Sequence, residues 1–104
     1  MPDKQFCISL EGKLYIIAEF RRDGGKILEF VVRLMINLDD GETEIMARYD
    51  TAHGVAHLDQ LKRGGKQVEK VWLHNLDFDS AFEYALSEFK TNYDRDYDRW
   101  TKSL

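Results

Sequence analysis

The sequence predicts an α+β domain in which an antiparallel meander sheet of about five strands carries one long C-terminal helix packed on one face. Three observations lead to this prediction. Most of the first two thirds of the chain alternates apolar and polar residues, as half-buried strands do. Glycines at 24–25, 41 and 64–65 mark turns between these segments. From Asp79 to Thr101, apolar residues recur at helical spacing without an interrupting glycine or proline.

Length and composition fit one globular domain that spans residues 1–104. Hydrophobic residues make up 43% of the chain and charged residues 33%, values that exclude a disordered tail. The net charge of −4 argues against a protein that coats nucleic acid by bulk attraction. A local basic patch stays open, because Lys62, Arg63, Lys66 and Lys70 are grouped around one turn.

The single cysteine and the first residues bear on location. Because Cys7 is the only cysteine, the chain can form neither an intramolecular disulfide nor a cysteine-based zinc cage. We therefore expect it in a reducing cytoplasm. Residues 1–4 show no apolar run behind a basic region, so we expect no signal peptide. The longest apolar stretches are far shorter than the roughly 20 residues of a membrane helix, and we expect no contact with a membrane.

The first three strands follow from alternating segments, which cover residues 4–10, 14–20 and 26–37. The third alternates cleanly, with Leu28, Phe30, Val32, Leu34 and Ile36 on one face. A two-residue loop at Gly24–Gly25 would push Phe20 outward. A three-residue loop, 24–26, pairs Phe20 with Phe30 instead. Because a slip of one residue moves every side chain to the other face, burial favours the three-residue loop.

Asp40–Gly41 predicts the next hairpin. A two-residue loop there sets Ile36 opposite Ile45 and Leu34 opposite Ala47.

The same alternation continues along the fourth strand. It places Tyr49 and His53 on the core face, whereas Arg48 and Asp50 point outward. Gly54 is expected to break the alternation by a bulge or a bend.

The sequence after the Gly64–Gly65 turn predicts a fifth strand followed by the helix. The strand covers residues 67–74, and Asp77, Asp79 or a capping box from Ser80 can cap the helix over 79–101. The apolar stripe of the helix comprises Phe82, Ala85, Leu86, Phe89, Tyr93, Tyr97 and Trp100.

The segment Arg48–His57 is the candidate site, because it holds two of the three histidines of the chain. In one interpretation, His53 and His57 act as general acid and base, and Asp50 fixes a tautomer or holds a positive ring. Cleavage of RNA without a metal needs such groups, one to take the 2′-hydroxyl proton and one to protonate the leaving oxygen. Arg48 would stabilise the phosphorane charge, and Tyr49 would orient the phosphate or serve as an acid.

Two other interpretations of Asp50, His53 and His57 stay open. Imidazole and carboxylate are suitable ligands for zinc, manganese or iron. On a straight strand, however, the H-x3-H spacing separates the two histidine Cα atoms by ~13 Å, so only a bend at Gly54 would bring the rings together. In the third interpretation, the histidines are structural and Asp50 caps the bend. We expect no metal ion and no other cofactor.

The order of residues from Arg48 to His57, after two hairpin strands and before a Gly-Gly turn and a long helix, resembles the TumE-like family of small prokaryotic proteins. The family's short motif falls on Tyr49, Asp50, His53, Gly54 and His57. The resemblance implies a toxin of a toxin–antitoxin pair, with a cognate antitoxin as partner and an RNA-directed or otherwise growth-arresting activity. A metal-independent ribonuclease is the activity that combines this resemblance with the acid–base interpretation.

A non-enzymatic interaction module or a homodimer is the alternative from another class. Tyr15, Ile17, Val31 and Met35 fall on the outer face of the predicted sheet, where they would form an apolar patch of the kind found at interfaces.

Overall fold

The computed structural model describes residues 4–103 and confirms the α+β prediction. Its elements are β1 (Lys4–Ser9), β2 (Leu14–Asp23), β3 (Lys26–Asn37), β4 (Thr43–Asp50), β5 (His57–Leu61), β6 (Gln67–Trp72) and α1 (Phe78–Thr101). The strands form one sheet in chain order, and each pairs antiparallel with the next. The described residues contain six strands instead of about five, because residues 51–56 divide the predicted fourth strand into β4 and β5.

A short 3-10 turn, Ala52–Gly54, makes this division. His53 has a φ of 71° and Gly54 a φ of 79°, so two consecutive residues adopt the left-handed region. Glycine reaches this region without steric cost, whereas a histidine there is uncommon. The turn confirms the predicted break at Gly54, and it reverses the chain so that β5 returns alongside β4.

The register of the β2–β3 hairpin is as predicted, but its loop is not. Phe20 lies opposite Phe30, and both rings belong to the helix-covered side of the sheet. The loop is the two-residue Gly24–Gly25, and the register shifts beside Arg21 so that Leu28 has no residue opposite it. This bulge restores the alternation that a three-residue loop would have given, and it leaves Leu28 exposed instead of buried.

A second bulge, in the β3–β4 hairpin, makes part of the observed register differ from the predicted one. Leu34 lies opposite Ala47 as predicted, but the pairing of Ile36 with Ile45 is wrong. Met46 is an extra residue in β4, and it shifts the register by one between the pairs Leu34–Ala47 and Met35–Ile45. Its side chain is fully buried in the core, so the bulge adds an apolar group to the helix side of the sheet.

Helix α1 begins where its cap predicts. The Asp77 carboxylate accepts a hydrogen bond of 2.7 Å from the Ser80 amide, as one of the expected N-caps does. The helix packs on β3 and β4, and its buried residues are Ala81, Phe82, Ala85, Phe89, Asp96 and Trp100. Tyr97 of the predicted stripe is 42% exposed. The core face follows residues 89, 93, 96 and 100, and the charge of Asp96 concealed that spacing in the sequence.

The opposite face of the sheet, here called the open face, carries no helix. Its side chains include Tyr15, Ile17, Val31, Arg33, Met35, Arg48, Asp50, His57, Asp59, Lys70 and Trp72, as the cross-strand pairs require. Of the predicted apolar patch, Tyr15, Ile17 and Val31 are half-buried, but Met35 is buried. Over residues 4–103, no helix has the length and apolar character needed to cross a bilayer.

Helix packing should dominate the stability of the fold. Phe89 is fully buried, with its ring centroid 5.0 Å from that of Tyr49. We expect Phe89→Ala to lower the free energy of unfolding by about 3–5 kcal/mol, measured by urea denaturation, because it removes a buried ring and leaves a cavity. Tyr97→Ala, on the exposed flank of the same helix, is the control and should cost less than about 1 kcal/mol. Equal losses would contradict this description of the core.

Candidate functional site

Four cross-strand pairs build a polar cluster on the open face. Asp50 lies opposite His57, and Arg48 lies opposite Asp59. On the other side of β5, Asp59 lies opposite Lys70 and His57 opposite Trp72. Directly opposite residues on antiparallel strands point to the same face, so the pairing brings these side chains together.

His57 is the centre of the cluster and is only 1% exposed. Its Nδ1 atom lies 2.9 Å from the carbonyl oxygen of Val55, a contact that requires a proton on Nδ1. Its Nε2 atom lies 2.9 Å from Oδ1 of Asp50 and 3.6 Å from Oδ2 of Asp59. The ring therefore presents Nε2 to two carboxylates, and a proton or a cation between these atoms makes both contacts favourable.

Asp59 is 2% exposed and lies between two cations. Arg48 donates to its Oδ2 atom from Nε at 3.3 Å and from Nη2 at 3.1 Å, and Lys70 Nζ lies 3.0 Å from Oδ1. Asp59 is not among the site residues predicted from the sequence. The signal was present, because positions i and i+2 of a strand share a face and His57-Leu58-Asp59 has that spacing.

Asp50 connects the buried cluster with solvent. Its side chain is 13% exposed, and its Oδ1 atom accepts a hydrogen bond of 2.9 Å from the Ala52 amide at the start of the turn, a contact that the third interpretation of this segment expects. Asp50 also lines an open groove of about 500 Å³, whose other walls include Arg33, Val31 and Phe30. Arg33 in turn forms an ion pair with Glu19. A molecule in the groove would touch Asp50 before any other member of the cluster.

The other two histidines lie beside the cluster. The turn exposes His53, which corrects its predicted core-facing position, and places its ring centroid 6.3 Å from that of His57. The bend therefore brings together two rings that a straight strand would separate. Trp72 packs against His57 at 5.0 Å and against His74 at 6.0 Å. His74 thus extends a row of four rings.

Tyr49 does not join the cluster. It is buried on the helix-covered face, where its hydroxyl donates to Oε1 of Glu88 at 3.0 Å. Burial and the neighbouring Glu88 carboxylate raise the pKa of Tyr49 well above its ordinary value. Of the predicted site residues, Arg48, Asp50 and His57 are in contact, His53 is adjacent, and Tyr49 is on the other side of the sheet.

A second charged cluster lies beneath the helix. Glu88 accepts hydrogen bonds from Tyr49, from Asn92 at 3.0 Å and from Arg95 at 2.7 Å. Asp96 is 2% exposed, and its Oδ2 atom has no hydrogen-bond partner among the described residues. Burial, followed by repulsion from Glu88, raises the pKa of Asp96 to about 6. The spacing of Asp96 and Arg99 suggests a solvent-face pair, but the structure buries the acid.

The fold and the cluster define an α+β meander domain with a buried histidine–carboxylate site on the open face of its sheet. The chain belongs to the family described as "Domain of unknown function (DUF7718)", whose family model matches residues 1–103. No curated protein matches the chain, and no solved structure does.

The charge of Asp96 should make the fold less stable as the pH rises. The folded chain holds this proton more tightly than the unfolded chain, whose aspartate pKa is about 4, so stability falls between about pH 4 and pH 7. Asparagine lacks the charge. We expect the free energy of unfolding of Asp96→Asn to exceed that of the wild type by ~2–3 kcal/mol at pH 8 and by little at pH 4. Urea denaturation at both pH values measures this difference.

Asp98→Asn is the matched control, because Asp98 lies on the same helix, is exposed and pairs with Lys102. Its effect should be small at both pH values. A difference between Asp96→Asn and the wild type that stays constant from pH 4 to pH 8 would show that the buried carboxyl does not titrate in this range.

Proposed function

We propose that the protein is a toxin-type enzyme of the TumE-like kind that cleaves RNA by acid–base catalysis. The observation that carries the proposal is the position of Asp50, which contacts the buried His57 at 2.9 Å and lines the open groove. A carboxylate held by a buried imidazole and exposed along one edge is suited to exchange protons with a bound substrate. The resemblance of the segment Arg48–His57 to the TumE-like family adds the substrate class.

In this mechanism Asp50 accepts the proton of a ribose 2′-hydroxyl, and the 2′-oxygen attacks the adjacent phosphorus. The bond from phosphorus to the 5′-oxygen breaks, and the exposed His53 donates a proton to that leaving oxygen. The products are a 2′,3′-cyclic phosphate and a 5′-hydroxyl end. His57 acts through Asp50 and is a positioning residue. Arg33 in the groove wall and Arg48, with Nε 3.5 Å from Oδ2 of Asp50, supply positive charge for the phosphorane.

A growth-arresting activity in the cytoplasm requires a cognate antitoxin that binds the enzyme while the cell grows. Covering the groove beside Asp50 would be the direct way to do so.

Cleavage should depend on the open face and not on the helix-covered face. We expect Asp50→Asn to lower the cleavage rate of an end-labelled single-stranded RNA by roughly 10²–10⁴-fold, because it removes the proton acceptor. Tyr49→Phe is the control from the same motif. Its hydroxyl bonds Glu88 on the other side of the sheet, so its rate should change by less than about threefold.

Both variants are to be compared with the wild type by circular dichroism, so that a folding defect is recognised. Wild-type protein that leaves RNA intact, or equal losses in the two folded variants, would refute the proposed mechanism.

A second candidate is self-association through the open face. No described element covers Tyr15, Ile17 and Val31 on β2 and β3, and all three are half-buried, so a second copy could bury them further.

Sedimentation velocity at increasing concentration tests this candidate. We expect the wild type to form a dimer whose dissociation constant rises at least tenfold in Ile17→Lys, because a charge at the centre of an interface is costly. Lys13→Ala, outside the patch, is the control and should leave the dimer unchanged. A wild type that stays monomeric at the highest concentration excludes self-association.

A further inference from the structure

We propose that Asp50, His57 and Asp59 form a binding site for one divalent transition-metal ion. The three side chains offer one imidazole nitrogen and two carboxylate oxygens, and these ligand atoms all lie within 4.8 Å of one another. They come from two neighbouring strands of the sheet, which makes the constellation rigid. The inference concerns the site of the proposed enzyme but does not depend on its activity.

The distances between the ligand atoms fit a shared ion. Bonds of about 2.0–2.2 Å to a zinc-sized ion place neighbouring ligand atoms ~3.0–3.6 Å apart in octahedral or tetrahedral geometry. The observed separations from His57 Nε2 are 2.9 Å to Asp50 Oδ1 and 3.6 Å to Asp59 Oδ2. These two separations fall at the limits of that range, and the third, between the two carboxylates, is no more than 4.8 Å.

The orientation of His57 is a second, independent observation. Its Nδ1 atom bonds the carbonyl oxygen of Val55, which is the usual way a protein fixes the tautomer of a metal-binding histidine. In that tautomer Nε2 carries a lone pair. Nε2 belongs to a side chain that is 1% exposed, and it faces one oxygen of Asp50 and one of Asp59. A cation placed between these three atoms would be attracted by all of them.

The two cations at Asp59 belong to the outer shell of this site. Arg48 donates to Oδ2, the oxygen of Asp59 that lies nearest His57 Nε2, so a bound ion would share this oxygen with Arg48. Lys70 pairs with the other oxygen, Oδ1. Oδ1 of Asp59 has the Lys70 ion pair but no hydrogen bond within the described chain. The positive charge of Lys70 should repel a metal ion bound to Asp59. Removal of this charge should therefore strengthen metal binding, which can be measured.

The ligand set indicates which ions would bind. An imidazole with two carboxylates suits Zn²⁺, Mn²⁺ or Fe²⁺, whereas Mg²⁺ and Ca²⁺ favour oxygen ligands alone. Three protein ligands leave coordination positions free, and Asp50 provides the route from the groove. Because the ion and the proposed cleavage both use the Asp50 carboxylate, the ion would inhibit metal-free cleavage of RNA.

Isothermal titration calorimetry of the full chain, stripped with a chelator, tests the site with Zn²⁺ and Mn²⁺ as probes. We expect one ion per chain with Zn²⁺. Asp59→Asn, which keeps the shape of the side chain, should weaken Zn²⁺ binding by roughly tenfold or more. Lys70→Gln should strengthen it several-fold. The double variant His53→Ala/His74→Ala is the control, since it removes the exposed imidazoles and should bind as the wild type does.

Paramagnetic broadening keeps the proposal testable if a variant fails to fold. In wild-type protein, substoichiometric Mn²⁺ should broaden the NMR signals of His57 before those of His74. No binding of Zn²⁺, loss of binding in the double variant, or broadening confined to His74 would each overturn the site. The RNA assay is separate: binding without cleavage refutes the proposed function alone, and cleavage without binding refutes the metal site alone.

Discussion

The contact between Asp50 and His57 depends on two consecutive left-handed residues, His53 and Gly54. Without that turn, β4 would continue in a straight line, and β5 would not return beside it. A positive φ at a histidine costs of order 1 kcal/mol, and the turn is held by the Asp50 bond to the Ala52 amide and by the His57 bond to Val55. The same two side chains that hold the turn therefore form the candidate site.

Strand alternation divides the Arg48–His57 segment between two environments. Tyr49 points beneath the helix and bonds Glu88, whereas Arg48 and Asp50 point to the open face. A short run of polar residues can thus stabilise helix packing and build a site at once. A sequence motif that covers such a run therefore includes structural residues as well as site residues. The direction in which each side chain points shows which of the two roles it has.

Much of the fold could be predicted because burial fixes register. Phe20 opposite Phe30 and Leu34 opposite Ala47 follow from the alternation of apolar residues together with the positions of the turn glycines. The bulge at Leu28 could not be predicted, because a longer loop gives the same parity at lower apparent cost. Asp59 escaped prediction for a related reason: β4 and β5 look like one strand until the turn between them is known, and only their pairing brings Asp59 to Arg48.

The two buried charged clusters differ in what they can do. Burying ions costs more than packing apolar side chains of the same volume, so neither cluster is explained by stability alone. Asp96 is buried between helix and sheet, and the Glu88 carboxylate is occupied by hydrogen bonds from Tyr49, Asn92 and Arg95. Asp50, by contrast, lies at the edge of a groove, with His57 and Asp59 behind it. The open face is therefore where chemistry should be sought, because there a largely buried carboxylate lines a groove.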